Sequence, residues 1–348
     1  MSELIPTSKQ LHDFIDDLEK CLNYEFKERI DCDNIVLCGM GGSAISGNVV
    51  ADYCLRNSSK QIVAIMNTTL PNWINERTLV IISSYSGNTL ETLESYRQIL
   101  DVGCKRVVIT AGGILEKLAK KNGDPLIMLP DNLHPRHSIG YMIGYIFGVI
   151  RATGCIGEQK DILECIESLR GYRDGLEDKE NGLAIKLARQ YIESIPIICS
   201  YSDIQSIIFR WKTQFNENSK YVAFCTTALD LYYSDVRWWS QGCRSNYTLT
   251  VILDKQGSIP NDVSMSKMLK YLDDNKIKYT KVVLNGHNGI ENMFRALMLG
   301  DYISMYMAEI QNIDPSGVPP ITLLKTKLKP LIEERTKDLY NRSLNHFN

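Results

Sequence analysis

No stretch of this 348-residue chain approaches the roughly 20 apolar residues that span a bilayer. The amino-terminal MSELIPTSKQLHDFIDDLEKCL carries acidic groups and no apolar centre. The expectation is a cytoplasmic protein with no membrane partner. An excess of one charge is also lacking, since 39 Lys and Arg face 41 Asp and Glu. That balance offers no broad basic field to a polyanion, so nucleic acid is not an expected partner. Ten cysteines occur without a CxxC pair, and the five histidines are dispersed at positions 12, 134, 137, 287 and 346. A zinc site needs clustered ligands, so no metal is expected. Cys38, Cys104 and Cys199 lie beside apolar runs and read as buried, reduced thiols.

What the chain has is alternation. The β-rich runs NIVLCG (34–39), QIVAIM (61–66), TLVIIS (78–83), RVVIT (106–110) and PLIMLP (125–130) are separated by helical periods. Such a pattern predicts an α/β protein with doubly wound, mainly parallel sheets flanked by helices. The Gly-containing helical run SIGYMIGYIFGVIRATG closes the first half, and residues 157–193 are charged and helical in character. The pattern then resumes with SIPIICS, a helix through IQSIIFRWKTQFNENS, and a strand near NYTLTVILD. A helix from 260, the strand YTKVVLN and a long helix over 290–311 follow. The expected domains are 1–153 with an N-terminal helix, a helical connector over 154–193, and 194–348 with C-terminal helices.

Two turns carry chemistry. CGMGGSAISGN (38–48) follows the first strand and opens a helix, and its glycines let a ligand approach the backbone. Gly39, Gly41 and Ala44 satisfy GxGxxA, but the second strand ends in Asn67 where a dinucleotide site needs a carboxylate, so NAD is not expected. SSYSGNTLET (83–92) joins a buried strand to an amphipathic helix. A helix N-terminus has unpaired N–H groups and a partial positive charge, and Ser84, Ser86 and Thr89 add hydroxyl donors. One phosphate dianion fits such a cradle of dipoles. The loop has no lysine or arginine and is no Walker loop, which requires GxxxxGK[ST]. Capping alone would need only one residue, Ser86 or Asn88.

GMGGSA, SSYSGNTLETL, HPRHSIGY, RWKTQFNENSK, LGDYISMYMA and IDPSGVPPITLLKTKL, in that order, resemble the bifunctional phosphoglucose/phosphomannose isomerases, which contain two sugar isomerase (SIS) domains. The resemblance covers nearly the whole chain. It implies a cofactor-free aldose–ketose isomerase acting on a hexose 6-phosphate, glucose 6-phosphate and fructose 6-phosphate first and mannose 6-phosphate next. It also implies a homodimer with a cleft shared between subunits. Ser84, Ser86 and Thr89 would hold the anion, and Gly41, Gly42 and Ser43 would approach the sugar. Glu217 in FNENSK would be the base moving a proton between C1 and C2, and Arg136 in HPRHSIGY the cation beside the enediolate. Lys325 in LLKTKL matches the family's lysine for sugar hydroxyls and ring opening.

One segment departs from that family. Where its HNE stretch supplies a ring-opening histidine from the partner subunit, this chain reads LYYSDVRWW, with Tyr233, Ser234 and Asp235 in those places. Tyrosine, with a pKa near 10, is a poorer base at neutral pH than histidine. Three explanations stand: Tyr233 or Asp235 takes the role, His134, His137 or His287 supplies it, or the substrate differs. The turn CSYSDIQS, where a Gly-rich turn is usual, would reshape the same cleft. A sulfonated hexose would suit a neutral anion cradle. A non-catalytic phosphosugar sensor is the remaining alternative.

Overall fold

The computed structural model describes residues 4–157, 160–235, 246–254 and 263–317, with a few further helical positions between 323 and 334. The chain divides into two compact units, the second of which is Lys160–Gly317.

The first unit holds a five-stranded parallel sheet of β1 (Asn34–Gly39), β2 (Gln61–Ile65), β3 (Thr78–Ser84), β4 (Lys105–Thr110) and β5 (Leu126–Met128), in the order β2-β1-β3-β4-β5. Every residue of β3 is buried. A central parallel strand is covered on both faces, which is why TLVIISS reads as continuous and not alternating. On one face Val36, Cys38, Val80, Ile82 and Val108 form a core with Leu93, Tyr96 and Ile99 of α4 (Leu90–Leu100) and Leu115, Leu118 and Ala119 of α5 (Gly113–Asn122). The other face is covered by α3 (Gly42–Asn57) and α6 (Ile139–Arg151), outside which lies α2 (Phe14–Leu22), preceded by α1 (Thr7–His12). Gly140, Gly144 and Gly148 form a stripe on α6. A Cβ there would stand 2.7 Å from Phe14 O, 2.5 Å from Cys21 Cβ and 2.7 Å from Tyr24 O. Three side chains are missing because α2 and the residues just beyond it fill their place.

The second unit, Lys160–Gly317, repeats the arrangement with β6 (Ile195–Ser200), β7 (Phe224–Thr227), β8 (Tyr247–Asp254) and β9 (Thr280–Leu284), all parallel, in the order β7-β6-β8-β9. Helices of the stretch expected as a connector, α7 (Lys160–Leu163), α8 (Ile166–Leu176) and α9 (Leu183–Tyr191), belong to this unit. They are followed by α10 (Gln205–Glu217), α11 (Ala228–Asp230), α12 (Val263–Asp274) and α13 (Gly289–Ile310). Ile197, Cys199, Leu249 and Val251 pack against Leu231, Met265, Met268 and Leu272 on one face. Between α10 and α13, Trp211 donates to Ala296 O at 2.7 Å, and its indole fills the space that a side chain at Gly300 would need. Arg210 and Asp301 form a bidentate pair at 2.9 and 2.7 Å with side chains no more than 5% exposed. β7 is absent from the strand pattern of the sequence because it is a four-residue edge strand, half-exposed and polar at its end.

Candidate functional site

In the first sheet the strand order reverses between β1 and β3, and open α/β sheets bind ligands at the carboxyl ends of the strands at that point. The two turns singled out in the sequence leave those two strand ends. Gly41 precedes α3 with φ +56, a conformation open to glycine, and Gly42 and Ser43 begin the helix. Ser43 is buried, and its hydroxyl accepts the Tyr85 N–H at 3.3 Å, which ties the β1 turn to the β3 turn.

Ser84 ends β3, and its hydroxyl donates to Thr89 Oγ1 at 3.2 Å. Thr89 occupies the cap position of α4 but makes no side-chain bond to that helix. Capping of α4 therefore does not account for the Thr89 hydroxyl. Ser86 is exposed, and its hydroxyl accepts the Asn88 N–H at 3.3 Å.

Asn88 does something the sequence did not disclose: its Oδ1 accepts the Ile114 N–H at 3.0 Å. Leu115 N–H donates to Gly87 O at 2.9 Å and Ala111 N–H to Tyr85 O at 3.0 Å, so the β4–α5 turn braces the hydroxyl loop. Gly87, at φ +62, must be glycine, since a Cβ there would lie 1.8 Å from Gly112 O. The one available signal was the Gly112–Gly113 pair directly after a strand.

Arg136 lies in a 3-10 turn, Pro135–His137, after β5, and is 5% exposed. Pro135 O and Arg136 Cα would stand 3.1 Å from a Cβ on Gly42, so the backbone of this turn lies against the β1 turn. The structure thus gathers Gly41, Gly42, Ser43, Ser84, Ser86, Thr89 and Arg136 at one sheet edge.

Glu217 and Tyr233 belong to the second unit. α10 leaves the carboxyl end of β6 and extends about 20 Å, so its last residue, Glu217, reaches the amino edge of that sheet. Tyr221 OH donates to Ile192 O just ahead of β6, at that same edge. Tyr233 follows the carboxyl end of β7, in a π-helical turn over Leu231–Asp235, and is 77% exposed. Chain and helix direction carry the two residues to opposite ends of β7. Asp235 accepts the Thr226 hydroxyl at 2.8 Å and the Ser234 hydroxyl at 2.9 Å.

Of the alternative histidines, His137 is buried, and His287 precedes α13 at the carboxyl edge, the end of the unit away from Glu217. The glycine-free turn after β6 also lies at that carboxyl edge, so within its own unit it does not shape the surroundings of Glu217. Lys325 lies outside the described residues. Among the described residues, no three His, Cys, Asp or Glu side chains gather as metal ligands. Burial pushes the Cys38 and Cys54 thiols up to about 12, which leaves them unreactive at neutral pH.

Residues 180–328 match the family described as the bacterial phospho-glucose isomerase C-terminal SIS domain. A bifunctional phosphoglucose/phosphomannose isomerase of Caldicellulosiruptor bescii is 31% identical over 309 residues, covering 86% of this chain and 90% of that protein. Its counterpart from Aquifex aeolicus is 30% identical over 298 residues, covering 85% and 90%. A solved tagatose-6-phosphate ketose/aldose isomerase from Escherichia coli shares the fold, with TM-score 0.68 and 15% identity over 90% of this chain and 95% of that one. With its doubly wound units and a full-length relative above 30% identity, this chain belongs to the bifunctional phosphoglucose/phosphomannose isomerase family.

Proposed function

We propose that this protein interconverts aldose and ketose forms of hexose 6-phosphates, glucose 6-phosphate or mannose 6-phosphate with fructose 6-phosphate. The observation that carries the reading is the loop at the β1/β3 reversal, where the Ser84 and Thr89 hydroxyls meet at 3.2 Å before an uncapped helix N-terminus. Ser84, Ser86 and Thr89 hold the phosphate there, and Gly41, Gly42 and Ser43 let the sugar lie against the backbone. The Glu217 carboxylate takes the C2 proton of the open-chain aldose. The C–H electron pair becomes the C1=C2 bond of an enediolate as the C1=O π pair moves onto O1. A proton then shifts from O2 to O1, an O2 lone pair forms the C2 carbonyl, and the C1=C2 pair takes the returned proton at C1 to give the ketose. Arg136 stabilises the anionic oxygen of that intermediate. Lys325 binds sugar hydroxyls and assists ring opening. The reaction is redox-neutral and uses side chains throughout.

The reading extends to a cytoplasmic homodimer in which Tyr233 serves the partner's Glu217. Val222, Phe224, Leu229 and Tyr233 are each at least 39% exposed on or beside the edge strand β7, an apolar surface suited to a second copy. Among the described residues, no helix is long and apolar enough to cross a membrane. The test is solvent deuterium exchange into fructose 6-phosphate. Glu217→Gln is expected to bind the sugar and lose exchange. Full exchange in that variant overturns the base assignment, and wild-type binding with no exchange at all overturns the isomerase assignment.

A further inference from the structure

The end of α10 is built more tightly than a helix end requires. Asn218 N–H donates to Gln214 O at 2.8 Å, and Phe215 O accepts both the Ser219 hydroxyl at 2.7 Å and the Tyr221 N–H at 3.0 Å. Asn216 Nδ2 donates to Tyr221 O at 2.7 Å, and buried Asn218 Nδ2 donates to Ser304 Oγ of α13 at 2.9 Å. Lys220 closes the turn at φ +54. Left-handed closure of a helix is ordinary, but glycine or asparagine ordinarily makes it, and a lysine there holds a strained backbone. Lys276 and Asn312 also take positive φ just beyond α12 and α13, so the backbone conformation alone is a terminator.

What singles out Lys220 is its amine. Nζ turns back to donate to Glu217 O at 2.6 Å and also reaches Asn218 O and Pro315 O, each at 3.5 Å. Pro315 belongs to the turn Asp314–Pro315–Ser316, whose Asp314 carboxyl is held below its usual value by the Ser316 hydroxyl and N–H, with Lys220 adding to the effect. A single cation therefore joins the last helical carbonyl, which belongs to Glu217, to the segment beyond α13. The groups facing it include the Glu217 and Asn218 carbonyls, the Asp314 carboxylate and the Pro315 carbonyl.

We propose that Lys220 is a positioning residue for isomerisation, and that its ammonium fixes the backbone of Glu217 so that the carboxylate meets the C1–C2 edge of the sugar. The inference rests on the base assignment made above for Glu217. Lys220→Gly removes the amine and also relieves the left-handed strain, so it separates catalysis from folding. Lys220→Met keeps the strain without the amine, and Lys220→Arg restores a donor. Both Gly and Met variants are expected to lower kcat for C2 exchange about tenfold with KM within twofold, and Arg to recover most of the rate. The Gly variant should melt no lower than wild type. Glu217→Gln is measured alongside. If it is inactive while Lys220→Gly exchanges at the wild-type rate, Lys220 has no such role and the base assignment stands. If Glu217→Gln itself exchanges normally, both assignments fall.

Discussion

Asn88 Oδ1 accepts the Ile114 N–H at 3.0 Å, so the hydroxyl loop after β3 is held in place by the first turn of α5, a neighbour across the sheet edge. Loss of that acceptor leaves an N–H at a helix start to find water, and loosens the loop by about the value of one hydrogen bond. Asn88→Ala is expected to weaken inhibition by inorganic phosphate about tenfold, with kcat at saturating sugar changed less than twofold. Titration calorimetry with phosphate checks it. Unaltered affinity would show that the loop keeps its shape without the brace.

Glycine at 87 can be tested against a matched control. Gly87 and Gly103 both have positive φ, +62 and +71, but a Cβ at 87 would lie 1.8 Å from Gly112 O while nothing lies within 4 Å of one at 103. Gly103→Ala should cost about 1 kcal/mol of stability and leave phosphate binding intact. Gly87→Ala should abolish phosphate binding, because strand and turn cannot both keep their places. Equal effects of the two changes on phosphate affinity would contradict the brace.

Buried Arg210 and Asp301 predict an asymmetry in the second unit. Truncating either partner leaves a desolvated charge, at a cost of about 3–5 kcal/mol. The double change Arg210→Met with Asp301→Leu should cost much less than the sum, since no unpaired charge is left. Urea unfolding followed by tryptophan emission, to which buried Trp211 contributes, gives the cycle. Additive losses would mean that the pair is not coupled.

Asp17 makes stability depend on pH. Burial between α2 and α6 pushes its carboxyl up to about 6, against a hydrogen bond from Tyr141 that pulls it down. The folded state thus binds the proton more tightly than the unfolded chain. Stability from this group is complete below about pH 4, the unfolded carboxyl range, and is lost as pH rises through 6. Asp17→Asn should therefore raise stability by roughly 1 to 2 kcal/mol at pH 8, after allowance for partial exposure, with the gain shrinking at pH 5 and vanishing near 4. Thermal unfolding at those three values is the check, and a gain independent of pH would refute the assignment.

Exposure of Tyr233 separates its chemistry from folding. With a side chain 77% exposed, Tyr233→Phe should change stability by less than about 0.5 kcal/mol. Its expected effect is about a tenfold lower kcat on ring-closed sugar, with C1–C2 exchange on open-chain substrate retained. On the proposed dimer, mixing with Glu217→Gln subunits should regenerate about a quarter of wild-type activity, because half the dimers would carry one intact site. No recovery on mixing would rule out a site completed by the partner.

Local reading worked where one residue type has one use. The runs around Leu79–Ile82 and Val107–Ile109 are apolar on both faces, and that alone implies a covered parallel sheet. Ser84, Ser86 and Thr89 stood out because a cap needs one hydroxyl and not several. β7 escaped because four half-exposed residues at a sheet edge carry no period, and Asn88 escaped because its partner is 26 residues away.

Composition and pattern by themselves settled the α/β class and the strand–turn–helix junctions, because each depends on neighbours within a few positions. Tertiary structure alone decided that β1 and β3 lie side by side at the reversal of strand order, bringing Ser43 to Tyr85 and Gly42 to the Arg136 turn. It also decided that Glu217 and His287 lie at opposite edges of the second sheet. Those relations follow from strand order and helix direction, which are set by long-range packing that no short window of sequence contains.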